Sequence, residues 1–160
     1  MSSMDDIEGG GAAMYKNILV ATDGSALSER ALVQAIALAS HVGARLTLFH
    51  ARPDRVNDAH LNGTDLDARL RDKYAVADTA HAKRILEHAA AQVEAAGVPC
   101  TVAQDVAYSP HEGILRAAAK HQCDAIAMAS HGRRGVSALV LGSETQKVLS
   151  KTTLPVLVVR

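Results

Sequence analysis

Residues 17–51 read NILVATDGSALSERALVQAIALASHVGARLTLFHA, and the order of patterns along this stretch decides the fold. Asn17-Ile18-Leu19-Val20-Ala21-Thr22 is apolar at nearly every position, as in a strand buried on both faces. It stops at Asp23-Gly24-Ser25. A helical period follows from about Ala26 to Val42, with Ala31, Ala35, Leu38 and Ala39 as inward positions and Gly43 as the stop. Arg45 to Ala51 forms a second strand. A strand, a long helix and another strand make a crossover unit with parallel strands.

Working outward, residues 52–72 (RPDRVNDAHLNGTDLDARLRD) are polar, contain Pro53 and Gly63 and carry no long apolar period, so they read as a mobile loop or lid. A second helix is expected from about Ala75 to Ala96, ended by Gly97 and Pro99. Cys100 to Ala107 reads as a third strand, at an edge. Ser109-Pro110-His111-Glu112 combines a hydroxyl at the cap, proline at the first helical position and glutamate at the third, the signature of a capping box. It opens a helix over Pro110–His121. Strand Asp124–Ala129, a glycine-containing loop, a helix over Ser143–Lys151 and strand Pro155–Val159 complete the chain. Five strands and four helices in this order predict an α/β fold: an open, doubly wound, parallel five-stranded sheet, order 3-2-1-4-5, with helices on both faces. Residues 1–13 (MSSMDDIEGGGAA) read as a disordered leader, and 14–160 as a single domain.

Composition narrows the function. Seventeen Lys and Arg balance seventeen Asp and Glu among 160 residues, and one Phe, three Tyr and no Trp make up the aromatics. That gives neither the basic stripe nor the stacking platform of a nucleic-acid binder, so no nucleic-acid partner is expected. No run approaches the ~18 apolar residues of a membrane helix, so no membrane partner is expected either. The acidic, glycine-rich start is unlike a signal peptide. Cys100 and Cys123 form no metal or redox spacing and read as thiols in a reducing compartment, which makes the expected location cytoplasmic. The eight histidines (His41, His50, His60, His81, His88, His111, His121 and His131) include no pair at the i, i+4 spacing of a helical metal site.

Ligands of such sheets bind at the carboxyl ends of the strands, where strand order reverses. Ala21 to Ser25 and Ser130 to Ser143 occupy that edge. Gly142 permits a close backbone approach, and the helix starting at Ser143 directs amides and its positive dipole end into the same space, with Ser143 and Thr145 adding hydroxyls. As residues alone, these glycines also fit ordinary loop positions, Ser143 a plain cap, and Asp23 a turn that caps the helix after it.

The stretch Met128-Ala-Ser-His-Gly-Arg-Arg-Gly-Val-Ser-Ala-Leu-Val-Leu-Gly-Ser-Glu-Thr resembles the nucleotide motif of the universal stress protein family: glycine, two residues, glycine, nine residues, glycine, then serine or threonine. Gly132, the nine residues Arg133 to Leu141, Gly142 and Ser143 match its later part. The opening Asn17-Ile-Leu-Val-Ala-Thr-Asp-Gly-Ser and the closing Pro155-Val-Leu-Val-Val are similar to the family's first and last strands. The resemblance covers residues 15–160.

It implies a site for ATP, with or without Mg²⁺, or a related adenine nucleotide. Thr22 and Asp23 would lie at the adenine end and Ala51 would flank the base. Met128 and Ala129 would run under the ribose and triphosphate, continued by Ser130, His131 and Gly132. Gly142, Ser143, Glu144 and Thr145 would cap the phosphates. Two positions depart from the family pattern. Its first glycine is Ala129 here, which puts a methyl group where the ligand approaches bare backbone. Glu144 sets a negative charge in the first turn of the phosphate-capping helix, where it would oppose an anion. His131 could donate to a phosphate, as could one of Arg133 and Arg134.

Motifs for catalysis are missing: there is no G-x-x-x-x-G-K-[ST] loop, no G-x-S-x-G elbow and no paired carboxylates near the loop. Three readings stay open. The leading one is a stress-response regulatory module that binds an adenine nucleotide and signals through conformation or contact with an unknown protein partner. The others are a nucleotide-free, dimeric interaction protein of the same fold and a slow ATP hydrolase. A homodimer is expected through the C-terminal strand, apolar on both faces and without a charge from Pro155 to Val159.

Overall fold

A computed structural model describes residues 14–132 and 140–160. In chain order the elements are β1 (Asn17–Ala21), α1 (Ala26–Val42), β2 (Arg45–Pro53), α2 (Arg55–Leu61), α3 (Ala68–Ala95), β3 (Cys100–Ala107), α4 (Pro110–Lys120), β4 (Ala125–Ala129), α5 (Ser143–Lys151) and β5 (Val156–Val159). The strands form one parallel sheet in the order β3-β2-β1-β4-β5, as the alternating pattern predicts. Strand order reverses between β2-β1 and β4, so the carboxyl ends of β1 and β4 part over a crevice.

The two faces of the sheet carry separate cores. Ile18, Val20, Leu46 and Leu48 pack with Leu32 and Ala35 of α1 and with Leu86, Ala89 and Val93 of α3. Leu19, Phe49, Ile126 and Met128 pack on the other face with Ile114, Ala117 and Ala118 of α4 and Val148 of α5. Because neighbouring β1 residues point to opposite faces, Ile18, Leu19 and Val20 must all be apolar, and each is at most 1% exposed. Ala31, Ala35 and Ala39 face inward as expected, Leu38 only partly. Ser25 caps α1 by accepting from Ser28 N, and Gly43 ends it at φ 73°.

Three expectations need correction. Residues 52–72 are not a loop: β2 runs on to Pro53, α2 follows, and α3 begins at Ala68, so five helices stand among the described residues where four were expected. Short apolar period was a poor guide because α2 buries no residue and α3 buries only Ala82, Leu86, Ala89 and Val93, all in its second half. What holds α2 is charge: Arg55 bonds both oxygens of Asp78 at 2.6 and 2.8 Å and lies 4.9 Å from the centre of the Tyr74 ring. The capping box does not form either; the side chain of Ser109 makes no cap bond, and α4 finds its acceptor on α5. The leader 1–13 and residues Arg133 and Arg134 lie outside the described residues. No helix among the described residues is long and apolar enough to cross a membrane.

Candidate nucleotide site

A cleft of about 160 Å³ opens at the carboxyl edge, between the ends of β1, β2 and β4 and the starts of α4 and α5. Phe49, Ala51, Pro110, Ile114 and Met128 give it an apolar side, while Thr22, Asp23, Ser28 and His50 line a polar end. The rim passes through His131 and Gly132 to Glu144 and Thr145.

The polar end is fixed by short-range bonds. Thr22 N donates to Phe49 O at 2.9 Å, which aligns β1 with β2 beyond the regular ladder. The Thr22 hydroxyl lies 3.2 Å from Ser28 Oγ and accepts from Gly24 N at 3.2 Å. Asp23 Oδ1 accepts from Ser25 N at 2.9 Å, the turn role open to it from sequence. A Cβ on Gly132 would stand 3.0 Å from Asp23 Oδ2, so any larger residue there would push the Asp23 carboxylate aside by a few tenths of an ångström. His50 is buried with Nδ1 2.8 Å from Thr22 O. A carbonyl only accepts, so Nδ1 carries the proton.

The other end is built on α5. Thr145, 2% exposed, donates its hydroxyl to Ala129 O at 3.1 Å and Ser130 O at 3.0 Å, tying the first turn of α5 to the end of β4. Gly142 N donates to Ser130 O at 2.7 Å, and a Cβ at Gly142 would meet His131 Cα at 3.0 Å and Ser130 O at 3.1 Å. Glycine is therefore required at 142 by backbone contact. Among the described residues no side chain caps α5. Glu144 turns toward α4: its Oε2 accepts from the backbone amide and from Nδ1 of His111, both at 2.8 Å, and its Oε1 accepts from Lys147 at 3.1 Å. Burial opposes the charge of Glu144, but the His111 amide, the His111 ring and Lys147 more than offset it and hold the carboxyl below its usual range.

Of the residues singled out in the sequence, Thr22, Asp23, Ala51, Met128, Ala129, His131, Gly132, Glu144 and Thr145 meet at the cleft. Ser130, Gly142 and Ser143 do not line it. Ser130 is buried, bonding Val159 O through its amide, while Ser143 is exposed at the start of α5. Sequence reasoning missed Phe49, His50, Ser28, Pro110 and Ile114. The single phenylalanine, in the middle of β2, was the available signal for one of them.

A family model described as the universal stress protein family matches residues 14–160. The chain belongs to the universal stress protein family. A universal stress protein of Thermus aquaticus is 36% identical over 150 residues, covering 92% of this chain and all of that one. One from Methanocaldococcus jannaschii is 30% identical over 162 residues, covering 93% and 97%. Among solved structures, a universal stress protein in complex with cAMP superposes with a TM-score of 0.68 at 25% identity, covering 93% of this chain and 99% of that one. In this universal stress protein the motif glycines sit where segments distant in sequence, after β1 and β4, converge: a Cβ at Gly132 would crowd Asp23 Oδ2, and one at Gly142 would crowd the backbone of Ser130 and His131.

Proposed function

We propose that the cleft binds an adenine nucleotide, ATP or a close relative, and that this universal stress protein works as a nucleotide-responsive regulatory module whose output is a conformation or a contact with a protein partner. The observation that carries this reading is the joining, in one cleft, of an apolar side with the start of a helix that no side chain caps among the described residues. Phe49, Ala51, Ile114 and Met128 would face the base, and Asp23 could accept from its exocyclic amine. The cleft is smaller than the ~300–1,000 Å³ of typical ligand pockets. Sugar and phosphates would therefore run along the rim, over Ala129, His131 and Gly132 to the first turn of α5, where amides and dipole favour an anion. Any Mg²⁺ would arrive on the phosphates. The relative solved with cAMP, an adenine nucleotide, supports the ligand class.

Thermal unfolding tests the reading. A ligand binding only the native state adds about 2.7 kcal/mol at 100 times its Kd, which for a domain of this size raises Tm by roughly 5–11 °C. No shift with millimolar ATP, AMP or cAMP would overturn it.

We also infer a homodimer through β5, because the two edges of the sheet are unequal. At the β3 edge, Val106 N donates to Asp105 Oδ1 at 2.8 Å and Val106 O accepts from Arg116 at 2.7 Å, so at Val106 side chains occupy the backbone groups a partner strand would use. β5 carries no charged residue, and Leu157 is 38% exposed on it. Cys100 and Cys123 are both free, and burial pushes both thiols above their usual range, which keeps them unreactive.

A further inference from the structure

An acid in the first turn of α5 favours the helix dipole but faces whatever anion the helix start would hold. Glu144 is such an acid, and it lines the cleft. Both of its oxygens are engaged: Oε2 by the amide and the ring of His111, Oε1 by Lys147. Since a carboxylate in these bonds only accepts, His111 Nδ1 carries a proton, and since an ammonium only donates, Nε2 beside Lys151 is the ring's acceptor. Lys151 Nζ lies 3.3 Å from that Nε2, placed to donate to it. The ring is thus a bridge between a lysine and a glutamate, and at 4% exposure it is enclosed by the α4–α5 contact. Two ammonium groups flank one carboxylate, so the cluster as a whole is not anionic. Glu144 also supplies the start of α4 with the acceptor that Ser109 does not.

We propose that His111 is a positioning residue of the nucleotide site: it holds Glu144 toward the start of α4 and away from the ligand, so that the start of α5 can accept phosphate despite the acid in its first turn. The inference rests on the adenine-nucleotide reading and adds to it the residue that decides how much phosphate the site tolerates. Removing the ring takes away one of the two donors on Oε2 and the link to Lys151. The carboxylate, already on the cleft wall, then turns toward the rim, and the penalty grows with ligand charge, from none for adenosine to the largest for ATP.

The test is a titration of the full chain with adenosine and with ATP, each variant first checked for folding by circular dichroism. His111→Leu should weaken ATP about tenfold, within the scale of a charge at a helix start, and adenosine less than about twofold on the same scale. Adding Glu144→Gln to His111→Leu should restore most of the ATP affinity, because the neutral amide has no charge to set against phosphate. His111→Gln, which keeps a donor within reach of the carboxylate, should lose less than His111→Leu and serves where the leucine variant fails to fold. Equal losses for adenosine and ATP, or no recovery in the double variant, would mark His111 as merely structural and overturn the proposal. So would a tenfold gain in ATP affinity from Glu144→Gln alone, since the acid would then repel phosphate with His111 in place. Adenosine binding without ATP binding to the wild-type protein leaves the adenine reading standing and sinks this inference; binding of neither sinks both.

Discussion

Thr145→Val isolates the bond that fixes α5 to the sheet. Valine matches threonine in shape, so the buried site loses no volume, only the hydroxyl proton shared between Ala129 O and Ser130 O at 3.1 and 3.0 Å. Ser130 O keeps its bond from Gly142 N at 2.7 Å, which leaves the Ala129 carbonyl as the group most affected. A lost intramolecular hydrogen bond costs about 1 kcal/mol and a buried group left unsatisfied about 1–3 kcal/mol, so the change should destabilise by about 2 kcal/mol. For a domain of this size that lowers Tm by roughly 4–8 °C. Thr145→Ser keeps the donor and gives up a buried methyl, at about 1 kcal/mol. Urea unfolding followed by circular dichroism should show the midpoint falling in the order wild type, Ser, Val, with an unchanged m value. The same order should hold for ATP affinity, because a loosened first turn no longer presents its amides in one place. A valine variant within 0.5 kcal/mol of wild type, or a serine variant less stable than the valine one, would refute the claim that the hydroxyl anchors α5.

Ala129→Gly removes the methyl on the cleft wall; it should raise ATP affinity in titration calorimetry while costing roughly 1 kcal/mol of stability through added chain freedom, and an unchanged affinity would mean the methyl never obstructed the ligand. Arg55→Ala should leave global stability within about 1 kcal/mol, as for other exposed ion pairs, yet speed amide exchange across residues 55–61, since α2 has no buried residue to hold it. The Arg55 bonds hold the Asp78 carboxyl below its usual range against the opposing effect of burial, so the tether is present above ordinary carboxylate values and is lost as pH falls through the depressed one. Exchange of α2, corrected for its intrinsic pH dependence, should therefore rise only in acid, and a rise near neutrality would assign the tether elsewhere. Val158→Lys should convert a dimer to a monomer in sedimentation velocity; a wild-type mass of one chain at every concentration would end the β5 pairing.

The middle of the sheet was legible because β1 and β4 are buried on both faces, and such strands announce themselves as unbroken apolar runs such as Ile18-Leu19-Val20. Helix α1 was equally plain, bounded by Ser25 and Gly43, whose cap geometries depend only on near neighbours. The stretch from Arg55 to Tyr74 was not. Its order comes from one bidentate ion pair between residues 23 apart and from a cation over a ring, and neither leaves a period in the sequence. The first half of α3 projects without burying a face, so the hydrophobic repeat that would have marked its start is absent.

At the cleft, the legible residues were those whose backbone does the work. Gly132 and Gly142 show in the sequence because a Cβ at either would crowd a neighbour at 3.0 Å, Asp23 Oδ2 for the one and the His131 backbone for the other. Side chains that gain a role only through tertiary contact were hidden. His111 and Glu144 are 33 residues apart, each with an adequate local explanation: a helical histidine after a proline, and an acid in a first turn. Local logic even favoured the wrong partner, pairing the start of α4 with Ser109 when the acceptor arrives from α5. Read locally, Glu144 counts against an anion at α5. Read across the α4–α5 contact, its charge is met by His111 and Lys147, with Lys151 behind the ring, so the acid that departs from the family pattern is balanced by groups that only the fold brings together.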